Sequence, residues 1–141
     1  MFVKMDEKAI LPMQAHPGED AGYDLFSIEY QVIAPGQTKV IDTGVGTDFG
    51  PLYVALICSR SGMAAKESVF VLNSPGIIDS GFKSSLKCIL HNAGTNTKEI
   101  KSGDRIAQVV FTDVAIRKPA RWVMRSGESL RGQGGLGSTG K

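Results

Sequence analysis

Apolar residues in this chain arrive in short bursts dense in valine, isoleucine and phenylalanine, and almost every burst ends at a turn-forming cluster. The bursts are 31–33, 39–41, 52–57, 69–72, 86–90 and 106–111. Segments of this length and β-branched content read as strands. Between them stand Ala34-Pro35-Gly36, Asp48-Phe49-Gly50-Pro51, Asn73-Ser74-Pro75-Gly76, Asn92-Ala93-Gly94 and Lys101-Ser102-Gly103-Asp104, the residue types that close tight corners. Helical periodicity is nearly absent. The best candidate is 61–66, where Met63-Ala64-Ala65-Lys66 supports one or two turns. The expectation is an all-β fold, a barrel or sandwich, and 141 residues fit one such domain.

The last sixteen residues change character: six of the positions 126–141 are glycine, and the larger apolar side chains shrink to Leu130 and Leu136. Composition alone reads this as a flexible arm or a disordered tail. The expected organisation is therefore a β domain over 1–125 followed by a glycine-rich C-terminal arm over 126–141.

Charge and cysteine usage narrow the function. A net charge of +2 is too small for nucleic-acid binding driven by bulk charge, so any anion must be gripped locally. Cys58 and Cys88 lie thirty residues apart with only His16 and His91 to assist, which argues against structural zinc and for free thiols in apolar runs. No apolar run reaches the length of a spanning helix, and Lys4, Asp6, Glu7 and Lys8 break the apolar core that a secretion signal requires. An intracellular, cytoplasmic protein without a membrane partner is expected.

Chemistry concentrates in glycine-bearing charged segments. Arg60-Ser61-Gly62, opening a short helical turn, offers a guanidinium, a hydroxyl and free backbone N–H groups to a phosphate; the plainer reading is a helix capped by Ser61. Positions 131–140, Arg-Gly-Gln-Gly-Gly-Leu-Gly-Ser-Thr-Gly, let backbone approach an anion while Arg131, Ser138 and Thr139 supply donors. The Lys-Ser/Thr and helix of a Walker loop are missing.

In order and spacing, five segments resemble the motifs of the trimeric dUTP pyrophosphatase family. They match at Ala21, Gly22, Asp24 and Leu25; at Arg60, Ser61, Gly62 and Ala64; at Gly76, Ile78, Asp79 and Leu86; at Gly103, Asp104, Arg105, Ala107 and Gln108; and at Arg131, Gly132, Gly134, Gly135, Gly137, Ser138, Thr139 and Gly140. The resemblance implies a jelly-roll-like β fold, a homotrimer with active sites shared between subunits, and hydrolysis of dUTP to dUMP and pyrophosphate by water attack on the α-phosphorus. That reaction limits uracil incorporation into DNA and supplies dUMP for dTMP synthesis. By matching position, Asp79 is the catalytic base, a role that suits a carboxylate ionised at neutral pH. Arg60, Ser61, Gly62 and Gln108 bind the triphosphate, and Arg131, Gly137, Ser138 and Thr139 clamp it from the arm. Asn73, Gly76 and Ile78 belong to the hairpin that reads uracil, Phe82 packs on the deoxyribose, and Leu136 covers the base. Asp24 positions water around a magnesium ion held mainly by phosphates and waters.

The match departs from the family in places. Phe82 stands where tyrosine is usual, Lys83-Ser84 replaces an Arg/Gln-Gly pair, Gly81 replaces an acidic residue, Leu136 replaces phenylalanine and Ser59 replaces proline. Two rivals follow: a dCTP deaminase, which needs a glutamate at the base, and a degenerate family member that binds dUTP as a regulator.

Overall fold

The computed structural model describes residues 1–115. It contains β1 (Phe2–Lys4), β2 (Tyr23–Phe26), β3 (Gln31–Ile33), β4 (Thr38–Asp42), β5 (Val45–Thr47), β6 (Tyr53–Cys58), α1 (Ser61–Glu67), β7 (Val69–Val71), β8 (Gly76–Ile78), β9 (Lys87–Asn92), β10 (Lys98–Ile100) and β11 (Arg105–Asp113). The six strands anticipated from apolar bursts are all present. Five others were not legible: β1, β5, β8 and β10 are three residues each, and β2 is a four-residue strand that carries Asp24 at its centre. Strands that short carry almost no period-2 signal.

Every strand pair is antiparallel. One sheet runs β2-β11-β6-β8, a second β4-β9-β7, and two ribbons, β1-β5 and β10-β3, flank them. Alternation along β6 buries Ala55 and Ile57, and along β9 it buries Cys88, Leu90 and Asn92. These inward faces meet Leu25, Val109, Ile41, Val69 and Val71 in one core cluster, the two-layer arrangement that a jelly-roll-like fold requires. No helix among the described residues is long and apolar enough to cross a membrane.

One buried polar side chain ties the layers to their edge ribbon. Asn92 is fully buried; its Nδ2 donates to the carbonyls of Ile33 and Asn96, both at 2.8 Å, while its Oδ1 accepts from the Gly94 N–H at 2.9 Å. With these three bonds made, burial of the amide carries no unsatisfied polar group. The turn into β11 is equally specified. Gly103 adopts φ +89°, open to glycine at no steric cost, and donates its N–H to the Ser27 carbonyl at 2.8 Å.

Of the two cysteines, both expected to be buried free thiols, Cys88 is buried and Cys58 is half-buried. Burial, with Asp42 nearby adding to it, pushes the Cys88 thiol up from 9.0 to about 12. The folded protein thus keeps a proton that the unfolded chain releases, so the stabilisation is whole below about pH 9 and is lost as pH rises toward 12. Between pH 8 and 10.5, urea unfolding is expected to show the wild type losing about 2 kcal/mol more than Cys88→Ala. Equal losses in the two proteins would contradict this account.

Candidate functional site

Three segments converge on a cleft of about 490 Å³ at one end of the four-stranded sheet. β2 contributes Asp24, the start of α1 contributes Arg60, Ser61 and Gly62, and β11 contributes Arg105 and Gln108. At the centre is a carboxylate held by two guanidinium groups. Arg60 Nε donates to Asp24 Oδ1 at 3.0 Å, and Arg105 Nη1 donates to Asp24 Oδ2 at 3.2 Å. Arg60 Nη1 also donates to the Arg105 carbonyl at 3.1 Å. Two of the five donors on the Arg60 guanidinium are thus engaged among the described residues, and the rest remain for an anion. With Asp24 offset, the cluster keeps a positive balance suited to phosphate oxygens.

A β-bulge makes this convergence possible. Arg105 and Gln108 are three residues apart and would leave opposite faces of a regular strand. Opposite β2, however, Arg105 pairs with Phe26, Ala107 with Leu25 and Gln108 with Asp24, so the ladder skips Ile106. The extra residue turns Arg105 and Gln108 to the same face and lets the consecutive Ile106 and Ala107 both be buried. Beyond the bulge, Gln108 Nε2 donates to the Ser59 carbonyl at 3.0 Å, and the Gln108 amide packs so closely on Gly22 that a Cβ there would collide with its Oε1.

α1 spans Ser61–Glu67, close to the turn expected over 61–66. Its N-cap is Arg60 rather than Ser61, and that cap makes no side-chain hydrogen bond. Ser61 is already the first helical residue, so its hydroxyl is not committed as a cap. The first helical bond runs from the Ala64 N–H to the Arg60 carbonyl at 3.0 Å, leaving the N–H groups of Ser61, Gly62 and Met63 without intrahelical acceptors.

The structure leaves the third group of candidate residues apart. Gly76 and Ile78 lie on β8, where Gly76 pairs with Ile57 and Ile78 with Ala55. Asp79, one residue further, falls level with Val54, six residues along the chain from Arg60, a separation of about 20 Å at strand spacing. Asp79 and Phe82 are both exposed, in a turn where the Phe82 N–H donates to the Asp79 carbonyl at 3.0 Å. Asn73 is exposed in the connection between β7 and β8, and its Nδ2 lies 3.0 Å from where a Cβ on Gly76 would sit, so the glycine makes room for the amide. Arg131, Leu136, Gly137, Ser138 and Thr139 lie outside the described residues.

Sequence reasoning missed part of the cleft. Arg105 lies within a matched motif that by itself gives it no role, yet it holds Asp24. Ala15, His16 and Asp20 also line the cleft, from a loop in which Asp20 Oδ2 accepts the His16 N–H at 2.7 Å. That backbone bond lowers the Asp20 carboxyl below the ordinary 3.8. An alternation count that allowed for a bulge was the one signal that could have assigned Arg105. For the 15–20 loop the sequence offered none.

Fold and cleft together define a class: a jelly-roll-like β protein with a glycine-lined cleft in which two arginines and the first-turn N–H groups of α1 can receive an anion. Comparison with known proteins gives the family. Residues 7–140 match the dUTPase family profile, and the chain belongs to that family. It is 44% identical over 140 residues to the deoxyuridine 5'-triphosphate nucleotidohydrolase of Clostridioides difficile, covering 97% of this chain and 94% of the relative. The enzyme of the same name from Crocosphaera subtropica is 41% identical over 139 residues, covering 99% and 96%. Among solved structures, a mutant dUTPase of Staphylococcus bacteriophage 80alpha with dUpNHpp aligns at TM-score 0.88 and 26% identity, covering 100% of this chain and 98% of that one. A mutant dUTPase from phage phi11 of S. aureus, described as revealing the coordination of a structural Mg(II) ion, aligns at TM-score 0.83 and 25% identity, covering 90% and 98%.

The close packing of Gly22 on Gln108 is testable. Gly22→Ala is expected to cost about 1–3 kcal/mol in urea unfolding and less in a Gln108→Ala background, because the colliding amide is then gone. The same cost in both backgrounds would place the strain elsewhere.

Proposed function

We propose that this protein hydrolyses dUTP to dUMP and pyrophosphate, which withholds uracil from DNA synthesis and supplies the precursor of dTMP. The observation that carries this reading is the cleft in which Asp24, Arg60, Arg105 and Gln108 meet the free N–H groups at the start of α1. In this role Arg60, the Ser61 hydroxyl, the first-turn amides and Gln108 bind the phosphate chain. Asp79 takes a proton from water, the water oxygen bonds to the α-phosphorus, and the bond to the bridging α,β-oxygen breaks to release pyrophosphate. Asn73, Gly76 and Ile78 form the base-reading hairpin, and Phe82 covers the sugar without a phenol hydroxyl. Residues 1–125 form the β domain, and 126–141 form the arm whose Arg131, Leu136, Gly137, Ser138 and Thr139 complete a neighbour's site.

The distance of about 20 Å between Asp79 and Arg60 along β6 favours a site assembled between chains. A homotrimer, in which the Asp79 hairpin of one copy faces the Arg60 cleft of another, meets that requirement. Exposed apolar side chains on and near the β8 edge, with Ile77 60% and Leu52 66% exposed, offer surface for such contacts.

Magnesium is consistent with the donors present. The described residues contain no group of three or more His, Cys, Asp or Glu side chains placed to cage a metal, and Asp24 gives one carboxylate whose oxygens retain lone pairs beyond their arginine bonds. Such a sparse oxygen set suits an ion that keeps its waters and is held mainly by substrate phosphates. Bound there through water to Asp24, it would offset phosphate charge.

With magnesium, the wild type is expected to release pyrophosphate from dUTP and not from dCTP, dTTP or UTP. Asp79→Asn is expected to lower kcat by about 10²–10⁴-fold with dUTP still bound. Saturable dUTP binding without release by the wild type would replace this reading with that of a dUTP-responsive regulator.

A further inference from the structure

Ser59, between β6 and α1, bonds to three different parts of the molecule through its three polar groups. Its N–H donates to Ser74 Oγ at 3.2 Å, its Oγ accepts the Val71 N–H at 3.0 Å, and its carbonyl accepts from Gln108 Nε2 at 3.0 Å. Val71 ends β7, and Ser74 lies in the connection to β8 beside Asn73. Gln108 and the adjacent Arg60 line the phosphate cleft. One half-buried backbone junction therefore fastens the 72–75 connection to the cleft.

We infer that Ser59 is a positioning residue that holds the root of the base-reading hairpin against the Arg60 turn of its own chain and thereby sets how that hairpin is presented to the uracil base in the site shared with a neighbouring copy. The inference rests on the proposed assignment of Asn73, Gly76 and Ile78 to the base-reading hairpin. Its physical basis is the division of labour within one residue. The carbonyl serves the phosphate side through Gln108, the N–H serves the root of the hairpin through Ser74, and the Oγ serves the end of β7 from which that connection leaves. The ladder between β8 and β6 begins only at Gly76, opposite Ile57, so among the described residues the tie from 72–75 to the cleft runs through the Ser59 N–H and the Ser74 hydroxyl. The Leu72 N–H donates to the Ile89 carbonyl at 2.8 Å and the Ser74 N–H to the Val71 carbonyl at 3.1 Å, but neither bond reaches the cleft. A residue without an N–H and a hydroxyl at position 59 would keep the Gln108 bond and lose the ties to Ser74 and to the end of β7.

The two sides separate experimentally. Ser59→Pro removes the bonds to Ser74 and Val71 and keeps the carbonyl, Ser59→Ala removes only the Oγ bond, and Ser74→Ala removes the N–H bond from the opposite end. For each variant, KM and kcat for dUTP with magnesium are measured beside the inhibition constant of inorganic pyrophosphate, a probe with no base. Hydrogen exchange of the Ser59 amide reports the latch without any catalysis.

Ser74→Ala and Ser59→Ala are expected to raise KM for dUTP about threefold to tenfold each, with pyrophosphate inhibition and kcat unchanged. Ser59→Pro should raise KM further, and Ser74→Ala should speed exchange at the Ser59 amide. A parallel rise in KM and in the pyrophosphate constant would show a general loosening of the cleft and overturn the inference. So would an unchanged KM in Ser74→Ala, a substitution that leaves the chain direction untouched. A wild type that fails to hydrolyse dUTP would defeat the proposed activity instead, and an Ser59 amide unprotected in that protein would defeat the latch as well.

Discussion

β11 lies between β2 and β6, and every described residue of the cleft depends on those two ladders. The ladder with β2 sets Gln108 beside Asp24, and the ladder with β6 sets Gln108 beside Cys58, one residue before the Ser59 carbonyl. Asp24 and Arg60 are thirty-six residues apart in sequence and reach each other because their strands flank the same nine-residue strand. A slip of one residue on either side would turn Gln108 and its partners to the wrong face.

The bulge at Ile106 is the local irregularity that this arrangement requires. It spends one residue of ladder to gain two cleft side chains, Arg105 and Gln108, on one face. The core accepts it because the bulged residue is apolar and buried, and its neighbour Ala107 is small. Electrostatics then follow from geometry. Asp24 is mostly shielded from solvent and two arginines satisfy it, so its charge is offset and the cluster presents guanidinium donors outward.

The same sheet also keeps functions apart. β6 carries the Arg60–Gly62 turn at one end and pairs with β8 so that Asp79 leaves near the other. A strand of this length is too stiff and too long to fold the two together within one chain. Of the departures from family pattern, Gly81, Phe82 and Lys83-Ser84 fall on the hairpin side of this division, Ser59 falls on the Arg60 side, and Leu136 lies outside the described residues.

The sequence by itself determined the fold class, six of the strands, the short helix after Arg60 and, through five ordered motifs, the family. Those features are local: apolar period, turn chemistry and residue identity at fixed spacing are written along the chain. Tertiary structure decided what depends on register. It paired Arg105 with Asp24 across a bulge that alternation counting cannot see, moved the helix cap from Ser61 to Arg60, and drew the 15–20 loop onto the cleft. It also gave the three polar groups of Ser59 their partners, because hydrogen bonds between residues distant in sequence exist only once the ladders have set the strands side by side.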